Sequence, residues 1–548
     1  MQMEDEYLTR EIKYLNDYAT REEVTFLTQA DGKKRFFKSK EIYGTEDIAV
    51  CGITRIVPTF FNRSEKYWLT IRAEGGVYGA LYYPRCSYID VHSEGKDGVN
   101  KMNLKKWMVL CMAVCLFTLP LLGGCQQKEL EDTRDDKYIV MQFTNTHYEE
   151  VESYAAEMKV LFGENDPASD RMYAAGFMGP MLLTQSIEQM QAEVNTAFDM
   201  AEKFNIPVYF QLDDVNNYTT LFGGDAEVKY WEDPSMCEWI AFPEEGEEYG
   251  GQNKYGALPR FWYNWGSWRV AHPMPNFASP KLQELIVNNL KEGFLKPLTE
   301  RYNKLKEEDK AYLFAGVAVG WETHIADYTS NNRQLNLDMN NLPRDYATGV
   351  QMQEWEVAQY GYSALHSLGY DQAKLDAEAA EKGIDSAQHM RNILYQVIHD
   401  YSELLAKTVY DAGVPRRKIF THTVSCQTTL NNESTFYPPI WVAVNEYSTP
   451  GYTMSPVTCK YDMTKMKQQL FEADPTYNEF ACAEGYAAGL DTVEKCDDYF
   501  AEMFGNGARV VTCFGYPDVG VPVFEFKRDP SFPYVISTNN WLRGDITY

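Results

Sequence analysis

Phe314-Ala315-Gly316-Val317-Ala318-Val319-Gly320-Trp321 is an unbroken apolar run that stops at Glu322-Thr323-His324. Eight residues without alternation read as a strand buried on both faces, the kind found in parallel sheets. Seven other stretches read as strands: Tyr138–Thr144, Met172–Met178, Ile206–Leu212, Lys418–Val424, Trp441–Tyr447, Glu479–Glu484 and Ala508–Tyr516. Helical stripes separate them. Ile187, Met190, Val194, Ala197 and Ala201 recur at spacings of three and four, with Asn205 as the stop. Ser279-Pro280 opens a second helix as N-cap and first-turn proline, and Pro297 kinks or ends it. Ser386 to Ala412 forms a long stripe closed by Gly413 and Pro415, and Asp491-x-x-Glu494 has the form of a capping box. Eight strands alternating with helices through right-handed crossovers predict an α/β fold, a (β/α)8 TIM barrel with long loops after strands 3 and 4. An open doubly wound sheet fits less well, because no glycine-rich phosphate turn follows the first strand.

In such a barrel the chemistry lies where the strands end, and here those ends are polar. Strand 1 ends in Asn145-Thr146-His147, strand 3 in Asp213-Asp214, and strand 4 in Glu322-Thr323-His324. Strand 5 carries His422, strand 6 ends in Asn445-Glu446-Tyr447, and strand 7 in Glu484-Gly485-Tyr486. Glu322 and Glu484 are the two carboxylates that matter most. A retaining glycosidase needs two carboxyls about 5–5.5 Å apart, one to attack the sugar and one to move protons.

On this layout residues 138–520 resemble the clan A glycoside hydrolases, of which the family 42 β-galactosidases are an example. The resemblance implies Glu322 as acid/base, Glu484 as nucleophile, a covalent glycosyl-enzyme, and a β-linked oligosaccharide or polysaccharide as substrate. It implies no metal and no organic cofactor. One position departs from the pattern: the clan has Asn before the acid/base Glu, and this chain has Trp321. An Asn-Glu pair does occur as Asn445-Glu446, which makes Glu446 an alternative member of the catalytic pair.

The connection between strands 3 and 4 is crowded with rings, among them Trp231, Trp239, Trp262, Trp265 and Trp268. Flat rings cover the apolar faces of sugars, and equally well pack a loop onto a barrel. Trp265 and Trp268 are the expected sugar platforms, with Asn145, His147, Asp213, His324, Glu446 and Tyr447 as polar contacts. Two rival readings remain open. One is a non-catalytic glycan-binding protein on the same scaffold. The other is a metal-dependent hydrolase built on His147, Asp213, His324 and His422, against which strand 1 lacks an H-x-H pair.

Composition narrows the field further. A net charge of -28 argues against nucleic acid and anionic membrane surfaces as partners. The cysteines after residue 125 are irregularly spaced with no C-x-x-C, so they suggest buried thiols rather than zinc ligands or a disulfide scaffold.

Residues 102–125 read as a bacterial lipoprotein signal. Lys105 and Lys106 precede an apolar run from Trp107 to Leu122, and Gly123-Gly124-Cys125 closes it. Cys125 is then the lipidation site, and the body that follows is exported and anchored to a bacterial membrane, on its periplasmic or cell-surface face. A plain transmembrane helix is the alternative, though the run is short for a bilayer. Residues 1–101 are then a misplaced start or a small separate domain. Residues 126–137 are a charged tether expected to be disordered, and the barrel occupies 138–548.

Overall fold

The computed structural model describes five short strands within the first 130 residues. From residue 132 onward it describes all but 133, 144–149, 215–227, 243–257, 265–266, 330–336, 425–433, 455–461 and 517–525. The chain divides into two units, Met1–Glu129 and Leu130–Tyr548. The first contains an antiparallel sheet whose strands, Thr25–Thr28, Arg35–Lys38, Ile53–Ile56, Leu69–Ala73 and Gly76–Tyr78, pair in chain order. The apolar run at 107–122 and Cys125 lie outside the described residues. Among the described residues no helix is long and apolar enough to cross a membrane.

The second unit is a closed barrel of eight parallel strands. They are β1 (Lys137–Phe143), β2 (Arg171–Met181), β3 (Val208–Asp213), β4 (Phe314–Thr323), β5 (Ile419–Thr423), β6 (Thr449–Thr453), β7 (Phe480–Glu484) and β8 (Ala508–Phe514). β8 pairs with β1 and closes the ring. The fold is therefore the expected (β/α)8 barrel, and its two longest connections follow β3 and β4. Burial explains why the strands lack alternation: β1, β3, β5, β7 and β8 are enclosed along almost their whole length.

The sixth strand is the exception. Trp441–Tyr447 does not form it; a 3-10 turn at Ile440–Ala443 stands there, and β6 is Thr449-Pro450-Gly451-Tyr452-Thr453. Proline and glycine disguise the strand in sequence. Gly451 is required by crowding, since a Cβ there would stand 2.2 Å from the Thr421 carbonyl oxygen. Glu446 and Tyr447 precede β6 and so lie at the amino-terminal end of the barrel, away from the strand ends that carry Glu322 and Glu484. Arg416, just before β5, donates to the Asn445 carbonyl at that same end. Glu446 is exposed and Tyr447 half-buried. Neither belongs to the site at the other end of the barrel.

The helices follow their local signals with two adjustments. Ile187–Phe204 carries a full capping box from Ser186 and Gln189, and Asn205 ends it in the left-handed conformation. The helix opened by Pro280 does not end at Pro297. A π-helical stretch, Leu290–Leu295, precedes Lys296–Glu307, and this change of winding accommodates a residue without an N–H. The helix Val493–Gly505 is capped by Thr492, whose side chain accepts from the Lys495 N–H, while Asp491 pairs with the Lys495 ammonium. Cys237, Cys482, Cys496 and Cys513 are buried free thiols.

The end of the tether is not loose. Asp132 is enclosed beneath the barrel, paired with Lys418 at 3.0 Å and accepting from the Tyr302 hydroxyl at 2.6 Å. Arg134 binds Asp136, and Arg509 donates to the Asp136 carbonyl. Charge alone suggested disorder here. Buried cationic partners contributed by distant parts of the chain order it instead.

Candidate active site

β4 does not run straight to its end. Its register against β5 jumps from Val319–Thr421 to Thr323–Thr423, so four steps on β4 face two on β5. The intervening backbone takes left-handed turns at Gly320 (φ +86°) and at Glu322 (φ +50°). A glutamate held there costs roughly 1–2 kcal/mol, a strain that collects at functional sites. The buried Asp214 carboxylate, just past β3, accepts the Trp321 N–H at 2.8 Å and the Thr323 hydroxyl at 3.0 Å.

This bulge faces Glu484, the last residue of β7. Carboxylate oxygens of Glu322 and Glu484 and a ring nitrogen of His422 all lie within 4.8 Å of one another. The Trp321 indole N–H donates to Glu484 Oε2 at 2.8 Å, and the Tyr486 hydroxyl donates to Oε1. The Gln211 amide also favours the charged form of Glu484, more weakly than these two. Burial, and then the charge of Glu322, push the Glu484 carboxyl up to about 8.

A chain of hydrogen bonds runs beneath the pair. Gln142 Nε2 donates to Gln211 Oε1, which orients the Gln211 amide. Gln211 Nε2 lies 2.9 Å from His422 Nδ1, and His422 Nε2 lies 2.9 Å from Thr453 Oγ1. Thr453 in turn donates to Glu322 Oε1 at 2.6 Å. Burial lowers His422 to about 3, so its ring is neutral. With Nδ1 accepting from Gln211, the proton sits on Nε2 and the direction of the chain is fixed. The chain ends on Glu322, and its His422 ring also lies within 4.8 Å of Glu484.

The same three groups, Glu322, His422 and Glu484, are the set here that could ligate a metal ion. Both His422 nitrogens are already engaged by Gln211 and Thr453, so a metal would have to displace one of them.

Of the residues expected from sequence, Glu322 and Glu484 meet. Asp213 ends β3 and is buried. His324 is also buried, with Nδ1 2.5 Å from the Glu322 carbonyl oxygen and its ring against Phe436 and Phe261. It braces the Glu322 backbone. Burial lowers it to about 4. Trp268 is half-buried in the hairpin Phe261–Asn264/Trp268–Ala271. Asn145, His147 and Trp265 lie outside the described residues. The supporting groups Gln142, Gln211 and Thr453 escaped the sequence reading. A lone Gln inside an apolar strand, as in Lys137–Phe143 and Val208–Asp213, was the available signal for two of them. Thr453 was hidden with its strand.

No protein-family model matches the chain, and no curated protein matches it. Among solved structures it is similar to the catalytic domain of a β-amylase from Paenibacillus polymyxa. That likeness has 7% sequence identity and a TM-score of 0.42, and covers 75% of this chain and 99% of that one. It is also similar to a GH5-4 broad specificity endoglucanase from an uncultured bacterium, with 10% identity and a TM-score of 0.33, covering 75% and 93%. Neither likeness speaks to the activity of this chain.

Proposed function

We propose that the barrel unit is a glycoside hydrolase that cleaves a β-linked glycan with retention of configuration. The observation that carries this reading is the close approach of Glu322 and Glu484 at the ends of β4 and β7, within 4.8 Å. Facing oxygens this close fit the separation of about 5–5.5 Å found in retaining enzymes better than the roughly 6.5–9.5 Å of inverting ones, which hold a water between their carboxyls.

Burial and mutual repulsion make the two groups titrate as a pair that keeps one proton up to near pH 8. Glu484 accepts from two donors, Trp321 and Tyr486, and Glu322 from one, Thr453, so in the reactive form the proton shared by the pair is carried by Glu322. Glu484 then attacks the anomeric carbon, and the bond to the leaving oxygen breaks as that oxygen takes the Glu322 proton. In the second step Glu322, now a base, takes a proton from water. The resulting hydroxide displaces Glu484 from the sugar and restores the starting state. No cofactor enters either step.

The signal at 102–125 supports an exported protein anchored to a bacterial membrane through acylated Cys125, with an oligosaccharide or polysaccharide as substrate. Metabolic labelling with a fatty-acid probe, lost in Cys125→Ala, tests the anchor. Turnover of an aryl glycoside by the full chain, abolished in Glu484→Gln, tests the activity. A chain that binds glycans equally well in both forms, with no turnover, is a binding protein instead.

A further inference from the structure

Glu322 sits inside a defect in its own strand, and something must hold that defect open. Between the paired residues Val319 and Thr323 the ladder to β5 is interrupted, so the Trp321 N–H has no place in it. The Asp214 carboxylate takes up that N–H with Oδ1 and the Thr323 hydroxyl with Oδ2. These are the residues on either side of Glu322, so one buried side chain brackets it from both directions. The space is closed as well. A Cβ at Gly320 would stand 2.3 Å from Thr323 Oγ1 and 3.2 Å from Asp214 Oδ2.

We infer that Asp214 is the positioning residue of this site: it clamps the bulge in β4 so that Glu322 is thrown out of the strand and toward Glu484. The inference rests on the glycosidase reading only for its effect on turnover; its effect on the two carboxyls stands apart. Asp214 need not touch substrate. Without it, the Trp321 N–H and the Thr323 hydroxyl lose their shared acceptor, the left-handed turn at Glu322 loses its support, and β4 can relax toward regular pairing. A displacement of about 1 Å in a reacting group costs on the order of 100-fold in rate.

The test compares Asp214→Ala and Asp214→Asn with the wild-type full chain, with circular dichroism to verify folding. The asparagine keeps an acceptor for the Trp321 N–H, and the Thr323 hydroxyl can turn to accept from its amide. Two readouts are needed. The first is carboxyl NMR of glutamate-labelled protein, which follows the upper titration of the Glu322–Glu484 pair without any substrate. In Asp214→Ala that titration falls by about one pH unit or more, as the charge of Glu322 moves away, and Asp214→Asn restores most of it. The second is kinetics on 4-nitrophenyl and 2,4-dinitrophenyl β-glycosides. Asp214→Ala lowers kcat by about 100-fold on the poorer leaving group, with KM within about 2-fold, and far less on the better one. An unchanged upper titration in a folded Asp214→Ala overturns the inference. So does a loss in Asp214→Asn as large as in alanine. If the wild type turns over no glycoside, the glycosidase reading fails, and the NMR arm still decides the role of Asp214.

Discussion

The Trp321 indole N–H reaches from the end of β4 to Oε2 of Glu484 at the end of β7, 2.8 Å away. Trp321 occupies the position where the resembling clan carries Asn, and that departure left the assignment of Glu322 open in sequence. The geometry gives the residue a purpose: a large side chain with one donor spans the barrel mouth and holds the neighbouring carboxylate. Its ring is also packed with Met178, Phe514 and Tyr486 in a small apolar cluster apart from the main core, which fixes where the N–H points.

Trp321→Phe therefore keeps most of the packing and removes the donor. A hydrogen bond to a charged group contributes about 1.5–3 kcal/mol, so kcat on an aryl glycoside should fall by roughly 10- to 100-fold with little change in KM. The upper titration of the pair should move upward, because the anionic form of Glu484 loses support. Steady-state kinetics across pH would check both.

His422 is neutral in this structure, held near 3 by burial. Its ring protons should show no titration between pH 5 and 8 by NMR, and the acid limb of activity should not belong to it. His422→Ala leaves Gln211 and Thr453 each short of a buried partner, which costs about 1–3 kcal/mol for each group. Denaturant unfolding of the variant reads that loss directly.

Buried acids should make the protein less stable in alkali. Burial raises Glu238 to about 8, Glu484 to about 8 with the help of Glu322, and Asp214 to about 7. A carboxyl whose folded value lies above its unfolded value favours the fold fully below about pH 4, and that contribution is lost as pH rises through the folded value. The melting temperature should therefore drop by several degrees between pH 5 and pH 9. Glu238→Gln, which stays neutral throughout, should reduce the drop.

Asp132, beneath the barrel, titrates in the opposite sense. Burial alone would raise Asp132, but Lys418, the Tyr302 hydroxyl and Arg417 outweigh it and hold the group at about 2. Its stabilising effect is present above about pH 4 and is lost as pH falls toward 2. Asp132→Ala strands a buried Lys418 and should cost about 3–5 kcal/mol at neutral pH. Calorimetry of the variant at pH 7 and pH 3 would show a large deficit at the first and a smaller one at the second.

Most of the barrel was legible because buried parallel strands are mostly apolar runs without alternation, and seven strands lie where the sequence predicts them. β6 was not, because its five residues include Pro450 and Gly451, while the neighbouring Trp441–Tyr447 imitates a strand by composition. That one exchange moved Glu446 and Tyr447 to the wrong end of the barrel and hid Thr453. The two site glutamates were legible because each directly ends an apolar run. Their supports were not. Gln142, Gln211 and Asp214 matter through contacts between strands far apart in sequence, and the bulge at Glu322 is a property of backbone pairing that no single residue announces. The ordered end of the tether was missed for a similar reason: Asp132 looks solvated until Lys418 and Tyr302 are brought beside it.

Trapping the covalent intermediate would show whether Glu484 is the nucleophile. The full chain would be incubated with 2,4-dinitrophenyl 2-deoxy-2-fluoro-β-glycosides of several sugars, digested and examined by mass spectrometry. One fluorosugar is expected on the peptide carrying Glu484, and none in Glu484→Gln. A fluorosugar on another residue, or glycoside turnover that inverts configuration and leaves no adduct, would contradict that assignment.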